Sequence, residues 1–184
     1  SHNRYYKRAD VRDEARLKVI LEEFNPNFII HLAARTDLDG LSIDDYTTNT
    51  IGVAVLSKVI EGLELIERVI FTSSMYVCMP GYSPKNDDDY NPHTIYGESK
   101  VISEKIVKDS FNKCSWTIVR PTSIWGPHFA EPYKNFFEII ISNKYFHMGP
   151  RACTKTYGFV DNTVRQILSL LIAESNKVDK ETFY

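Results

Sequence analysis

The sequence holds three cysteines in 184 residues, Cys78, Cys114 and Cys153. No two stand in a Cys-x-x-Cys pair or at zinc-finger spacing. A disulfide framework and a cysteine zinc site are therefore excluded, and reduced structural thiols of a cytoplasmic protein are expected. A surplus of positive charge is also missing: 22 basic residues against 24 acidic ones leave a formal net charge of -2. That balance gives no field for a nucleic-acid backbone. No apolar run approaches the length of a membrane span, because an ionisable side chain interrupts each of them. Neither a secretory leader pattern nor an internal repeat is found. His93, His128 and His147 lie at no ligand spacing, so no metal is expected.

What is present is an alternation of short apolar runs with amphipathic stretches. Helices are expected over Asp13–Phe24, Asp44–Glu61, Thr94–Phe111, Tyr133–Ser142 and Asn162–Glu174. Strands are expected over Phe28–Leu32, Arg68–Thr72 and Trp116–Val119, and Pro121–Pro132 reads as mostly irregular. Strand-helix alternation of this kind builds a parallel sheet covered on both faces, so the fold class is α/β, a Rossmann-like doubly wound sheet in one domain over residues 1–184. Ligands bind such sheets beyond the carboxyl ends of the strands. Ala33-Ala34, Ser73-Ser74 and Pro121-Thr122-Ser123 fall at those ends.

One motif carries chemistry. Tyr96-Gly97-Glu98-Ser99-Lys100 sets a phenol and an ammonium one helical turn apart on one face. Ser74, at the end of an apolar strand, can bring a hydroxyl to the same point. A trio of this composition moves a proton on and off a substrate oxygen while a nicotinamide takes or gives the hydride. Lys100 is expected to lower the pKa of Tyr96. His31 reads as a core histidine with a satisfied hydrogen bond, and Asp87-Asp88-Asp89 as a solvated loop. Trp125 and Phe129 suit either a sugar pocket or simple packing.

With these residues the chain resembles the extended short-chain dehydrogenase/reductase family, in its nucleotide-sugar epimerase/dehydratase group. The resemblance rests on Asp10-Val11-Arg12-Asp13, Phe28 to Ala34, Asn49-Thr50-Ile51-Gly52, Val69 to Val77, Asn91-Pro92 with Tyr96 to Lys100, Arg120-Pro121 with Gly126-Pro127, and Phe159 to Asn162. It implies NAD or NADP as cofactor. Asp10, Val11, Leu32, Ala33, Ala34, Asn49, Thr72, Tyr96, Lys100 and Pro121 would line its path, and Ser74, Tyr96 and Lys100 would be catalytic. Ser123 and Lys155, with Arg151 close by, stand where the family meets its substrate. The two helices over Asp44–Glu61 and Thr94–Phe111 pair across a dimer axis in that family. Ile51, Val53, Val55, Val59 and Ile60 therefore suggest a homodimer.

Two departures from the family pattern shape the expected function. The family's Gly-x-x-Gly-x-x-Gly turn is missing, since Gly40, Gly52 and Gly62 have other spacings. The domain is accordingly expected to be truncated at both ends. Met75-Tyr76 stands where dehydratases carry Asp-Glu, which favours an epimerase or reductase. The expected function is NAD(P)-dependent oxidation, reduction or epimerisation at a sugar hydroxyl or carbonyl, the substrate being a nucleotide sugar. The alternatives are a carbonyl reductase of the same family and a non-catalytic protein that senses the cofactor. Neither a nucleic acid nor a membrane is expected as a partner.

Overall fold

A computed structural model describes residues 5–129, 133–146, 149 and 155–184. The chain runs through helix α1 (Glu14–Phe24), strand β1 (Phe28–His31), a single 3-10 turn (Ile43–Tyr46) and helix α2 (Thr47–Glu61). Strand β2 (Arg68–Thr72), a second 3-10 turn (Met75–Val77), helix α3 (Ile95–Ser110) and strand β3 (Ser115–Val119) follow. Then come β4 (Ser123–Trp125), α4 (Tyr133–Ile141), β5 (Tyr157–Phe159), α5 (Val160–Ile172), α6 (Ser175–Val178) and β6 (Glu181–Phe183).

Local chemistry sets the ends of the helices. Asp13 accepts the Arg16 N–H and starts α1, and Asn25 stops it in the left-handed conformation. Thr94 caps α3 by accepting the Gly97 N–H at 3.0 Å. Residues 43–46 form a tight 3-10 turn, so the expected long helix becomes α-helical only from Thr47.

The main sheet has the order β1-β2-β3-β6, with every neighbouring pair parallel. Val69 and Phe71 of β2, with Trp116 and Ile118 of β3, pack in one core with Val53, Leu56 and Ile60 of α2 and Val107 of α3. Burying each such side chain contributes about 1.5–3 kcal/mol. The other face is fastened by polar contacts. Thr117 Oγ1 donates to Val178 O at 2.7 Å. Arg68 reaches the end of α5, where its Nη1 donates to the carbonyls of Leu170, Leu171 and Ala173 at 2.7–2.9 Å. The guanidinium thus caps carbonyls that a helix C-terminus leaves without partners.

Three short strands, β4, β5 and β6, differ from the sequence expectation. The stretch read as irregular contains β4, which pairs in parallel with β5 in a separate two-stranded sheet. β6 adds a fourth strand to the main sheet. All three are only three residues long, too short for an alternation of apolar and polar residues to show.

The apolar residues of α2 are mostly used inside the chain. Val53, Val59 and Ile60 are buried and Val55 is half-buried, leaving Ile51 exposed. The excess of apolar residues from which a homodimer was expected is therefore largely consumed by the chain's own core. Among the described residues no helix is long and apolar enough to cross a membrane. Also among them, no group of three or more His, Cys, Asp or Glu side chains is placed to hold a metal ion.

Candidate functional site

The site forms where β2 ends. Ser73 N donates to Val119 O and Met75 N donates to Pro121 O. These bonds carry the β2–β3 pairing past the strands and hold the carboxyl ends side by side. The chain then turns through the 3-10 segment, with Ser74 Oγ accepting the Tyr76 N–H at 3.2 Å. Helix α3 lies directly against this turn. It can do so because residue 97 is glycine: a Cβ there would come within 2.3 Å of the Tyr76 carbonyl oxygen. That approach brings Tyr96 next to Ser74.

The three residues meet, though not as expected in every respect. Tyr96 is buried, and burial pushes its phenol pKa up; its hydrogen bond with Ser74 pulls the other way but does not prevail. Lys100 is not what tunes it. Its Nζ lies 6.0 Å from the Tyr96 ring centroid and donates to Thr72 O at 2.9 Å. Burial, only partly opposed by Glu104, brings the Lys100 pKa down to about 8. The expected acidification of Tyr96 by Lys100 is corrected accordingly: in this chain the phenol is held protonated.

The expected cofactor-path residues divide into two groups. Leu32 and Ala33 are exposed at the carboxyl end of β1, Leu32 by 63%, and Ala34 beside them is half-buried. Asp10 keeps its negative charge. Hydrogen bonds from Arg12 lower its pKa to about 2, and Val11 packs against Gly52 of α2. Pro121 sits half-buried between the strand ends.

Asn49 and Thr72 belong to the second group. Asn49 is 1% exposed, and its amide is spent on Arg35 N, Arg35 O and Ser99 Oγ. It braces the loop after β1 against α3 from inside and has no surface to offer a cofactor, contrary to the sequence expectation. Thr72 offers its carbonyl to Lys100, while its hydroxyl is buried without a partner.

Other expectations resolve as follows. His31 is buried edge-on against Phe71, and burial together with the Lys100 charge brings its pKa down to about 4. The imidazole is thus held neutral mainly by burial. The acid run is not merely solvated. Asp87 accepts from Tyr184 OH, Asp88 pairs with Lys108, and Asp89 accepts from Tyr82 OH. Trp125 packs against Phe137 and Phe159, and Phe129 against Phe137. Cys78 and Cys114 are free thiols. Arg151, Cys153 and His147 lie outside the described residues.

Ser123 and Lys155 come together on one phenol that the sequence reading did not single out. Ser123 Oγ lies 2.7 Å from Tyr133 OH, and Lys155 Nζ donates to the same oxygen at 3.2 Å. A second unforeseen feature is a buried ion pair behind the trio. Arg120 holds Glu104 with Nε at 2.9 Å and Nη2 at 2.6 Å. Ser73 Oγ and Tyr90 OH donate to the same carboxylate. The partners come from separate elements, so no local spacing announces them.

Residues 2–183 match the NAD dependent epimerase/dehydratase family. The chain belongs to that family. It is 30% identical over 168 residues to the N-acetyl-alpha-D-glucosaminyl-diphospho-ditrans,octacis-undecaprenol 4-epimerase of Escherichia coli O157:H7, a match covering 86% of this chain and 49% of that protein. It is 29% identical over 177 residues to the UDP-glucose 4-epimerase of Mycolicibacterium smegmatis, covering 86% of this chain and 55% of that protein. The chain thus spans about half the length of these curated relatives. Its fold matches that of the Bordetella bronchiseptica enzyme WbmG, solved in complex with NAD and UDP. The TM-score is 0.72 at 18% identity, over 97% of this chain and 56% of that one.

The side chains present fit the dinucleotide after which the epimerase/dehydratase family is named. The exposed ledge of Leu32 and Ala33 offers a flat apolar surface. Lys100 has spent one N–H on Thr72 O, and an ammonium carries three, so it retains donors for a ribose hydroxyl. Burying that ammonium has a thermodynamic signature. A lysine with a pKa of about 8 in the fold, against about 10.4 unfolded, costs stability in full below pH 8. The cost fades as pH rises toward the unfolded value, because over that window the unfolded chain binds more protons. Lys100→Met is therefore expected to stabilise the chain at pH 7 by about 2 kcal/mol after allowing for the lost hydrogen bond. The gain should shrink by pH 10. Urea denaturation at the two pH values checks this, and a variant less stable than the parent at pH 7 would contradict it.

Proposed function

We infer that this chain carries the acid/base centre of an NAD-dependent epimerase that acts on a sugar hydroxyl or carbonyl of a nucleotide sugar. The observation that carries the reading is the meeting of the Tyr96 phenol and the Ser74 hydroxyl at the carboxyl end of β2, with Lys100 buried alongside. Drawn toward phenolate by the positive charge of an oxidised nicotinamide, the buried Tyr96 phenol takes the proton of the sugar hydroxyl in one direction and returns it to the carbonyl oxygen in the other. Ser74 holds that oxygen in line, and Lys100 holds a ribose hydroxyl. Asp10, Val11 and the Leu32–Ala34 ledge carry the rest of the dinucleotide, with Pro121 beside them. A bound NAD supplies the hydride acceptor and donor. Two of the relatives are named for sugars carried by a diphosphate, one linked to undecaprenol and one UDP-glucose, and we assign this chain the nucleotide-linked kind. Its place of work is a reducing cytoplasm, which suits three dispersed cysteines.

The second reading is a one-way carbonyl reductase. It is favoured by the raised pKa of Tyr96, since a phenol held protonated is set to donate to a carbonyl.

The test is incubation of the chain with NAD and UDP-glucose, following the sugar by chromatography and the cofactor by absorbance at 340 nm. An epimerase interconverts the sugar without net change in reduced cofactor. A reductase consumes NADPH or NADH in proportion to a carbonyl substrate. Binding of NAD with no conversion of any sugar would leave only the cofactor-sensing alternative, and failure to bind either ligand would overturn the reading.

A further inference from the structure

A second Ser/Tyr/Lys cluster stands beside the first. Tyr133, at the first position of α4, shares a hydrogen bond of 2.7 Å with the Ser123 hydroxyl of β4, in which either oxygen can donate, and accepts from Lys155 Nζ at 3.2 Å. The Lys155 ammonium also lies 4.5 Å from the Tyr133 ring centroid. Tyr157 of β5 meets the same ring edge-on at 5.9 Å and fixes its position. Tyr76, from the turn after Ser74, hydrogen-bonds Tyr133 and lies edge-on to Tyr96 with ring centroids 5.7 Å apart. The two clusters are thus joined through one residue. Lys155 is exposed and Tyr133 half-buried, so the hydroxyl lies at the surface of the fold and not inside its core.

The contrast with the first trio is chemical. Lys100 turns its ammonium to a backbone carbonyl, whereas Lys155 places its own on a phenol oxygen. Burial raises the Tyr133 pKa, but the hydrogen bonds from Ser123 and Lys155, the Lys155 charge and the Tyr76 hydroxyl together bring it below the ordinary tyrosine value. Tyr76 moves the opposite way, pushed up by burial and by Tyr133. The charged and titratable groups facing Tyr133 are therefore Lys155, Tyr76, Tyr157 and, more distantly, Tyr96. Among the described residues no carboxylate is one of them.

We propose that Tyr133 is a second proton-transfer group of this site, acting on a hydroxyl of the bound sugar other than the one Tyr96 serves. Tyr133 first releases its own O–H proton to solvent, leaving a phenolate held by Lys155. The O–H bond of the sugar hydroxyl then breaks as the Tyr133 O–H re-forms, and the proton returns to the same sugar oxygen before release. No electrons change hands, and Lys155 keeps its charge throughout. The proposal rests on the nucleotide-sugar reading above and assigns Ser123 and Lys155 a task beyond binding the substrate: they hold and charge the phenol.

The test is a phenolate titration of the whole chain by absorbance at 295 nm. It is run on the parent, Tyr133→Phe and Lys155→Met, first alone and then with NAD and UDP-glucose. The parent is expected to show one of its 11 tyrosines ionising below the others. That step should be missing in Tyr133→Phe and displaced upward by about 1 pH unit in Lys155→Met. UDP-glucose should move it in the parent. Both substitutions are at surface-reaching positions and keep the ring or the side-chain length, so the fold is retained. The proposal is overturned if Tyr133→Phe leaves the curve unchanged, if Lys155→Met leaves the step in place, or if UDP-glucose binds by calorimetry without moving it. Absence of UDP-glucose binding overturns the nucleotide-sugar reading itself, and this proposal with it. That outcome is recognisable because it appears in the calorimetry and not in the ligand-free titration.

Discussion

Glu104→Ala should destabilise the chain by about 3–5 kcal/mol. Arg120 and Glu104 each have side chains only 1% exposed, and their guanidinium–carboxylate pair is bidentate. Removing the carboxylate leaves the buried guanidinium with the neutral Tyr184 OH and Asp87 O and, as its remaining anion among the described residues, only the part-exposed Asp87 carboxylate 4.0 Å away. It also strands the hydroxyls of Ser73 and Tyr90. Most of the loss is the penalty of a buried charge stripped of its close bidentate partner, so the double variant Glu104→Leu/Arg120→Met should recover a large part of it. Urea denaturation at pH 7 measures both. A single-variant loss under about 1 kcal/mol, the range of exposed pairs, would mean that water reaches this guanidinium. Because Ser73 precedes Ser74, the same variant should disturb the site as well as the fold.

Tyr96→Phe should lower turnover of the nucleotide sugar by about 10²–10⁴-fold, the usual contribution of a positioned proton donor. Folding stability should change little, because the ring and its packing against Tyr46 and Tyr76 remain. Initial rates at saturating NAD and UDP-glucose, set beside the urea midpoint, separate the two effects. Retention of more than about a tenth of the parent rate would remove Tyr96 from the acid/base role. The pairing with Lys100→Met is informative. One variant removes the proton and the other removes a buried charge that opposes folding, so turnover and stability should respond in opposite proportion.

The parallel sheet was readable because β1, β2 and β3 are continuous apolar runs separated by helices with clear caps at Asp13 and Thr94. The juxtaposition of Ser74 with Tyr96 was readable from a strand end and a helical spacing of four. What the spacing did not contain was depth. Tyr96 lies under enough protein that burial, not the neighbouring ammonium, governs its proton. Lys100 finds a carbonyl of β2 nearer than the phenol. Asn49 carried a family likeness that placed it on the cofactor path, yet three hydrogen bonds hold it inside. Tyr133 escaped notice because its partners lie ten residues before it and 22 after it. Such a cluster exists only once β4 and β5 have paired.

Arg68 has a consequence for the order of events in synthesis. Its guanidinium sits on a central strand, yet the carbonyls that satisfy it come from residues more than a hundred positions later. A nascent chain that has emerged only as far as α4 therefore holds in its sheet a cation with only the Ser115 hydroxyl, 3.4 Å from its Nε, among its described acceptors. Closure of so long a loop is slow. The early strands should accordingly remain open to hydrogen exchange and to chaperones until the last helices leave the ribosome.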